Sequence, residues 1–231
     1  MSAPLPDVGV WEVLYTTRAM RRMHPDPIPM EVQARIMDAA VRAPSGGDSQ
    51  AWRFLLVDDP TVKGQLAEPY RDSVRLLWRG HYSAQAAAAE ADPQAETSRK
   101  FLRLRSSVQY LADHLEEVPL LFFAFSRNDR DGSSTFPAVW SAMLAARAQG
   151  VGSAMTNVLD IFRPDTTKAL LGVPPDRGWT LAATVAMGYP KGRWGVAPRQ
   201  PAHTVTYRNR WGADPGFSTE EPLWPPTRRH A

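Results

Sequence analysis

The stretch from Val118 to Ser126 constrains the fold most, because it is an almost unbroken apolar run, Val-Pro-Leu-Leu-Phe-Phe-Ala-Phe-Ser. It is too short to cross a bilayer, and a strand of this composition is typically buried on both faces. Helical spacing of apolar residues occurs on either side of it, in 30–42, 61–80 and 98–117. Because both faces of such a sheet must be covered by helices, we predict an α+β sandwich with helices flanking a central sheet.

The remaining pattern completes this arrangement. We predict further helices at 8–19, 136–149 and 163–171, and further strands at 53–58, 151–158 and 179–187, with an edge strand at 205–207. Residues 81–97, rich in alanine and acidic residues, are interpreted as a lid or irregular insertion, and 212–231 as a C-terminal tail. Since the composition does not break sharply anywhere, residues 1–231 are predicted to form a single domain.

Composition excludes several classes of function. The net charge of +3 is small and the basic residues are scattered, so no nucleic-acid partner is expected. There is no cysteine, and the N-terminus lacks the pattern of a secretory signal, so we expect a cytoplasmic protein without a membrane partner. The five histidines are far apart, which predicts no metal site. Hydrolase, Rossmann and P-loop motifs are also missing, so a bound cofactor must supply any demanding chemistry.

The loop from Ala43 to Phe54 links a predicted helix to a predicted strand. Pro44 ends the helix, and Gly46 and Gly47 tolerate positive φ, which lets a ligand approach the backbone. Polar side chains follow at once. The loop suits a flat polar cofactor, although its composition also suits a connector without a ligand.

Three further motifs accompany this loop in a fixed order. They are Thr-Thr-Arg-Ala-Met-Arg-Arg-Met at 16–23, Gly-Val-Gly-Ser-Ala-Met-Thr-Asn at 150–157, and Gly-Tyr-Pro at 188–190, which precedes Arg199. Together with the Ala-Pro-Ser loop, the set resembles the FMN-dependent nitroreductase family over residues 11 to 211. The motifs are specific for the superfamily and say little about the substrate.

The resemblance implies a nitroreductase-like sandwich with a mostly antiparallel central sheet. It also implies FMN as cofactor and assigns residues to its phosphate. The family's arginine block falls on Arg18, Ala19, Met20 and Arg21, and its late phosphate arginine falls on Arg199. Thr17 and Ala19 depart from the family pattern, so the remaining arginines must supply more of the positive charge. Arg22 lies just outside the block and is interpreted as a surface residue.

The resemblance also assigns the rest of the flavin site. Loop residues that reach FMN from the partner subunit correspond to Pro44, Ser45, Gly46, Asp48 and Gln50, with Asp48 replacing the usual Asn. The segment along the flavin's N5 side corresponds to Ala154, Met155, Thr156 and Asn157. Thr156 and Asn157 are candidate donors to N5, and no other side chain is assigned a catalytic role.

The implied function is an FMN-dependent oxidoreductase that passes electrons from NADH or NADPH to a nitroaromatic, quinone or similar small acceptor in a ping-pong cycle. The implied assembly is a homodimer in which the C-terminal extension wraps the partner. Two alternatives stay open: a specialised relative that is a reductive dehalogenase or a flavin-fragmenting enzyme, and a flavin-binding or storage protein without turnover. The natural acceptor, and the choice between NADH, NADPH and a deazaflavin donor, also stay open.

Overall fold

The computed structural model describes residues 8–224, and within them four strands form one sheet. The strands are β1 (Trp52–Val57), β2 (Leu120–Ser126), β3 (Gly152–Thr156) and β4 (Thr180–Gly188). Their order is β1-β2-β4-β3, and every neighbouring pair is antiparallel. The predicted α+β sandwich with its antiparallel central sheet is confirmed.

Helices cover this sheet on both faces. They are α1 (Val10–Thr16), α2 (Met30–Ala40), α3 (Pro60–Arg79), α4 (Ser83–Ala91), α5 (Glu96–Asp113), α6 (Thr135–Ala148), α7 (Val158–Phe162) and α8 (Pro164–Leu170). None of the helices within residues 8–224 has both the length and the apolar character needed to span a membrane.

Strand β2 shows why two helical layers are needed, because all seven of its residues are buried. Its odd-numbered residues from 121 to 125 join a core cluster that includes Tyr70 of α3 and Leu111 of α5. Its even-numbered residues from 120 to 124 join a second cluster with Ile36 of α2 and Val139 of α6. The prediction of a strand buried on both faces is therefore confirmed.

Three segments differ from the predictions. The strand predicted at 151–158 ends at Thr156, and Val158–Phe162 forms helix α7. Residues 81–97, predicted as a lid or irregular, contain helix α4, because an alanine run favours helix and Ala89 is buried. Its role as a lid stays a prediction. The edge strand at 205–207 is wrong: Ala202–Val205 forms a 3₁₀ turn instead. The hydroxyl of Thr206 donates to the carbonyl of Ala202, and such local bonds favour a turn over an extended strand.

The chain after β4 packs along α1 of its own subunit. The backbone N–H of Ala197 donates to the carbonyl of Tyr15 at 3.0 Å, and the rings of Tyr15 and Trp224 lie 5.9 Å apart. This extension still exposes large apolar side chains, such as 92% of Trp211 and 72% of Leu223. Wrapping of a partner stays a prediction, and the tail's last residues, 225–231, lie outside the described chain.

Candidate functional site

The arginine block, β3 and the Gly-Tyr-Pro motif meet at one edge of the sheet. The segment 18–24 runs extended beside β3, where the N–H of Met20 donates to the carbonyl of Ser153 at 2.9 Å. A few residues on, the N–H of His24 donates to the carbonyl of Tyr189 at 2.8 Å. Three of the four sequence motifs are thus brought together by main-chain hydrogen bonds.

Arg18 and Arg199 both lie on the surface, and each is near the segment that carries the other. The guanidinium of Arg18 donates to the carbonyl of Arg193 at 2.9 Å, and that of Arg199 donates to Pro198 at 2.9 Å. Both side chains are exposed, and within residues 8–224 neither forms a salt bridge. Their charge is therefore not neutralised by an acidic side chain of the described chain.

Arg21 has a different environment, because its side chain is largely buried. Burial lowers the pKa of its guanidinium below the usual value, while the hydroxyl groups of Tyr70 and Tyr82 partly compensate. No acidic residue in the described part of the chain forms an ion pair with it. A buried cation without an anion is unfavourable, so this position is suited to an anionic or electron-rich ligand.

Thr156 lies close to this buried cation. Its hydroxyl is hydrogen-bonded to the hydroxyl of Tyr70, which is 1% exposed and also interacts electrostatically with Arg21. Burial raises the pKa of the Tyr70 phenol, so this hydroxyl keeps its proton at neutral pH. Arg21 is thereby associated with the end of β3 and not with the surface position of Arg18. Tyr70 was not predicted as a site residue, because in the sequence it occupies an ordinary apolar position of a helix.

The other residues of the β3 segment differ in accessibility. Ala154 is buried and Met155 is exposed. The side-chain amide of Asn157 donates to the carbonyl of Ala182 at 2.6 Å and also bonds to Asp160, one turn into α7. Asn157 therefore serves the start of α7, and its amide group is already engaged.

The Ala-Pro-Ser loop is held in an uncommon conformation. Gly47, Asp48 and Gln50 all have positive φ, at 58°, 51° and 45°. The Ser45 hydroxyl accepts from the N–H of Gln50 at 3.1 Å, and the Gln50 amide donates to Asp48 at 2.8 Å. Non-glycine residues in this region are strained, and such strain clusters where a structure serves a ligand.

A second turn supports this loop from the end of β2. The N–H of Gly46 donates to the hydroxyl of Ser134 at 3.2 Å. Asp129 in turn accepts from the N–H groups of Ser134 and Thr135 at 3.0 and 2.8 Å. No site residue was predicted in this turn, although an Asp followed by Ser and Thr is a pattern that indicates such capping.

The loop and the arginine block lie at opposite corners of the sheet. Ser153 pairs with Met187, and Met187 pairs with Leu120. Six residues further along β2, Ser126 pairs with Trp52, which directly follows the loop. Three strand spacings and six residues of strand separate Ser153 from Trp52 by about 25 Å.

A cavity of about 380 Å³ lies between α1, α6 and the C-terminal extension. Its lining includes Tyr15, Trp140 and Leu223, and Arg199 is its only residue from the set predicted from sequence. The cavity does not include Thr156, Arg21 or the loop. The predicted site residues therefore do not converge on one enclosed cavity of a single chain.

Comparison with known proteins identifies the family. Residues 14–189 match the Nitroreductase family, which is more than half of the chain. The chain belongs to the nitroreductase family. Members of this family are FMN oxidoreductases. A relative from Rhodospirillum rubrum, 5,6-dimethylbenzimidazole synthase, is 31% identical over 188 residues, which cover 75% of this chain and 78% of that protein.

Two further nitroreductase-family comparisons agree with this assignment. Iodotyrosine deiodinase from Thermotoga neapolitana is 26% identical over 204 residues, covering 86% of this chain and 96% of the relative. The crystal structure of an FMN-dependent nitroreductase from Mycobacterium smegmatis in complex with NADPH superposes with a TM-score of 0.63 at 22% identity. The superposition covers 86% of this chain and 97% of the M. smegmatis chain, and it supports the nitroreductase fold.

The described residues fit the cofactor of the nitroreductase family. Arg18 and Arg199 offer charge to a phosphate, and the buried cation of Arg21 lacks an acidic partner. The polar, strained loop includes Gly47, whose positive φ lets a ligand approach the backbone, while the N–H of Gly46 is engaged by Ser134. This donor set suits a cofactor with one terminal phosphate and a polar aromatic ring.

Asp160 gives a first testable prediction, on stability. Burial raises the pKa of its carboxyl to about 6, and its buried Oδ1 has no hydrogen-bond partner. Because the folded protein prefers the protonated acid, this group costs nothing below about pH 4, and its destabilising effect grows as the pH rises from about 4 to about 6 and is complete above that. Asp160→Asn is expected to stabilise at pH 7 by about 1–2 kcal/mol, since solvent reaches part of the side chain.

Urea denaturation at several pH values between 4 and 8 tests this expectation. The stabilities of the wild type and Asp160→Asn should converge at pH 4 and separate between pH 4 and 6. Asp165→Asn, at an exposed carboxyl in α8, is the control and should show no such separation. A wild type that is more stable than Asp160→Asn at pH 7 would contradict the prediction.

Proposed function

We propose that this protein is an FMN-dependent oxidoreductase that passes electrons from NADH or NADPH to a small acceptor such as a nitroaromatic or a quinone. The observation that carries the proposal is the buried guanidinium of Arg21 beside Tyr70 and Thr156. This cluster lies where the family resemblance assigns the N5 side of the flavin. An electron-rich ring that gains negative charge on reduction would be stabilised there.

The two surface arginines would hold the other end of the cofactor. Arg18 and Arg199 present donors that no acidic group of residues 8–224 neutralises, which suits a phosphate dianion. Arg21 was assigned to the phosphate by resemblance, but its burial beside Tyr70 favours a place near the ring. The proposal therefore divides the three arginines between the two ends of FMN.

Bound FMN supplies the hydride and electron transfer that no side chain here can perform. The side chains bind and orient the cofactor and exclude water from it. The Thr156 hydroxyl accepts from or donates to Tyr70, and its position suits a donor to N5. Asn157 is engaged with Ala182 and Asp160, so its amide is less suited to that role than Thr156.

A homodimer would complete this site. Trp52, where the chain leaves the Ser45 loop, lies about 25 Å along the sheet from Ser153, which is bonded to the Arg18 segment. A second subunit is therefore the proposed source of the loop that reaches the flavin. The outer face of α1 also exposes 61% of Trp11 and 64% of Val10, and the C-terminal extension exposes Trp211 and Leu223. Apolar side chains exposed together are typical of a surface that a partner covers.

The identity of the cofactor tests the proposal directly. The purified protein is expected to be yellow and to release FMN, not FAD, in an amount equal to the protein chains. Chromatography of the heat-released cofactor identifies it, and apoprotein should take up added FMN. A protein that stays colourless after incubation with FMN would contradict the proposal.

A flavin-fragmenting enzyme is the second candidate, and the relative from R. rubrum favours it. Tyr82, the second residue of the 81–97 segment, interacts electrostatically with Arg21, which supports a role for this segment in enclosing a flavin or its substrate. Incubation of the protein with reduced FMN and oxygen separates the candidates. Formation of 5,6-dimethylbenzimidazole would support fragmentation, and steady NADH or NADPH oxidation with an acceptor would support the oxidoreductase. Bound FMN with neither activity would indicate a storage protein.

A further inference from the structure

Arg147, near the end of α6, links three parts of the chain although no sequence motif includes it. It is only 6% exposed. Its Nε donates to the hydroxyl of Thr16 at 2.7 Å, and its terminal nitrogen donates to the carboxylate of Glu12 at 2.8 Å. The face of its guanidinium lies 4.2 Å from the ring centre of Trp194. One planar group thus contacts α1 by its edge and the chain after β4 by its face.

Both contacted segments lead directly to the arginines proposed to hold the phosphate. Thr16 is two residues before Arg18. Trp194 follows Arg193, whose carbonyl accepts from Arg18 at 2.9 Å, and the same segment continues to Arg199. The position of Arg147 therefore constrains the backbone segments from which the side chains of Arg18 and Arg199 extend.

Helix α1 depends on this contact more than a longer helix would. It has seven residues and no side-chain hydrogen bond at its N-cap. Helices this short are unstable alone, so tertiary contacts set their position. The side of α1 that bears Trp11 is exposed, and its inner side contacts the body through Val13, Thr16 and the pair between Glu12 and Arg147.

We propose that Arg147 is a positioning residue for the phosphate end of FMN, acting through α1 and the 193–199 segment without touching the cofactor. This inference rests on the proposed function. It implies that loosening Arg147 weakens binding of the phosphate specifically, because the ring end depends on Arg21, Tyr70 and β3. A simple structural clamp would weaken all flavins alike.

The test compares FMN with riboflavin, which has the same ring and no phosphate. Arg147→Lys keeps the charge but cannot make both directed bonds and the stacking contact. Titration of apoprotein, followed by quenching of flavin fluorescence, should show an FMN affinity lowered about tenfold and a riboflavin affinity almost unchanged. Arg18→Ala sets the size of the FMN-to-riboflavin effect for an arginine proposed to contact the phosphate directly.

Arg71→Lys is the matched control. Arg71 also joins separate elements, since its guanidinium donates to both carboxylate oxygens of Glu116 at 2.6 and 2.8 Å and to the carbonyl of Ala112. None of these contacts involves α1 or the 193–199 segment, so both flavin affinities should stay at the wild-type value. Trp194→Leu is a second variant, which keeps the hydrogen bonds of Arg147 and removes its stacking surface. It should lower FMN affinity selectively even where Arg147→Lys folds poorly.

Each outcome decides the matter. Equal losses of FMN and riboflavin affinity in both variants would make Arg147 a structural clamp only and overturn the inference. Unchanged FMN affinity in both would overturn it as well. A wild-type protein that binds neither flavin would instead overturn the proposed function.

Discussion

Arg21→Met is expected to stabilise the cofactor-free protein and at the same time to weaken FMN binding about 30-fold, or by about 2 kcal/mol. The two effects have one cause. Burial disfavours the charged guanidinium, and no acidic group in the described chain repays that cost. Methionine fills a similar space without charge, so the cofactor-free protein should gain about 1 kcal/mol of stability.

The loss of binding follows from the neighbours of Arg21. Tyr70 and Tyr82 supply only neutral hydroxyl groups, so the cation is left to interact with a ligand. Thermal denaturation without FMN measures the first effect, and fluorescence titration measures the second. Opposite signs in the two experiments would distinguish a ligand-binding cation from one that merely supports the fold.

Arg22→Met is the matched control, one residue along the same extended segment. Arg22 is exposed and lies 4.1 Å over the ring of Tyr110 on α5, so it faces away from Tyr70. Its replacement should change FMN affinity little. If Arg21→Met destabilised the cofactor-free protein and bound FMN normally, Arg21 would be a structural residue and the proposed ring site would be wrong.

The main elements of the fold were predictable because their patterns are local. An unbroken run of apolar residues predicts strand β2. Helix α3 begins where Asp59 accepts hydrogen bonds from the N–H groups of Thr61 and Val62. The chain also turns at Gly150, with a φ of 75°, where a helix end was predicted. Each of these features depends on residues that are only a few positions apart in the sequence.

Helix α7 was not predicted, because it is only five residues long and the residue before it, Asn157, was assigned to the flavin by resemblance. An Asn before a short apolar run is also typical of a helix start. Residues 81–97 were predicted to be a lid or irregular because they are rich in alanine and acidic residues, although such an alanine run also favours the helix α4 that forms there.

The site was predictable as a set of motifs but not as an arrangement. Arg18 and Arg21 are three residues apart and look equivalent in the sequence. Only the extended path beside β3, bonded at Ser153, shows that one side chain is exposed and the other buried next to Tyr70. The distance between the loop and the block likewise depends on strand register, which the sequence does not specify.

The second large expected effect is the recovery of FMN binding when two variants, each defective alone, are mixed so that they form dimers with one another. Arg21→Met would damage the flavin site within its own chain. Gly46→Trp would block the loop that reaches the partner's flavin, while its own fold tolerates the change: a Cβ at Gly46 meets only the hydroxyl of Ser134, at 4.0 Å. Homodimers of either variant should bind FMN weakly.

A heterodimer of these two variants should contain one intact site and one doubly damaged site, because a two-fold dimer shares each site between subunits. Random mixing should therefore restore about a quarter of the wild-type sites, and heterodimers isolated with two different tags should bind FMN at half of their sites. If each chain built its own site, every heterodimer site would carry one defect and no binding would return. A mixture of Arg21→Met with Arg18→Ala is the control, since both changes lie on the same side and no intact site can form. Recovery in the first mixture and not in the second would assign the Ser45 loop to the partner's site, in agreement with the separation of about 25 Å between Ser153 and Trp52 within one chain.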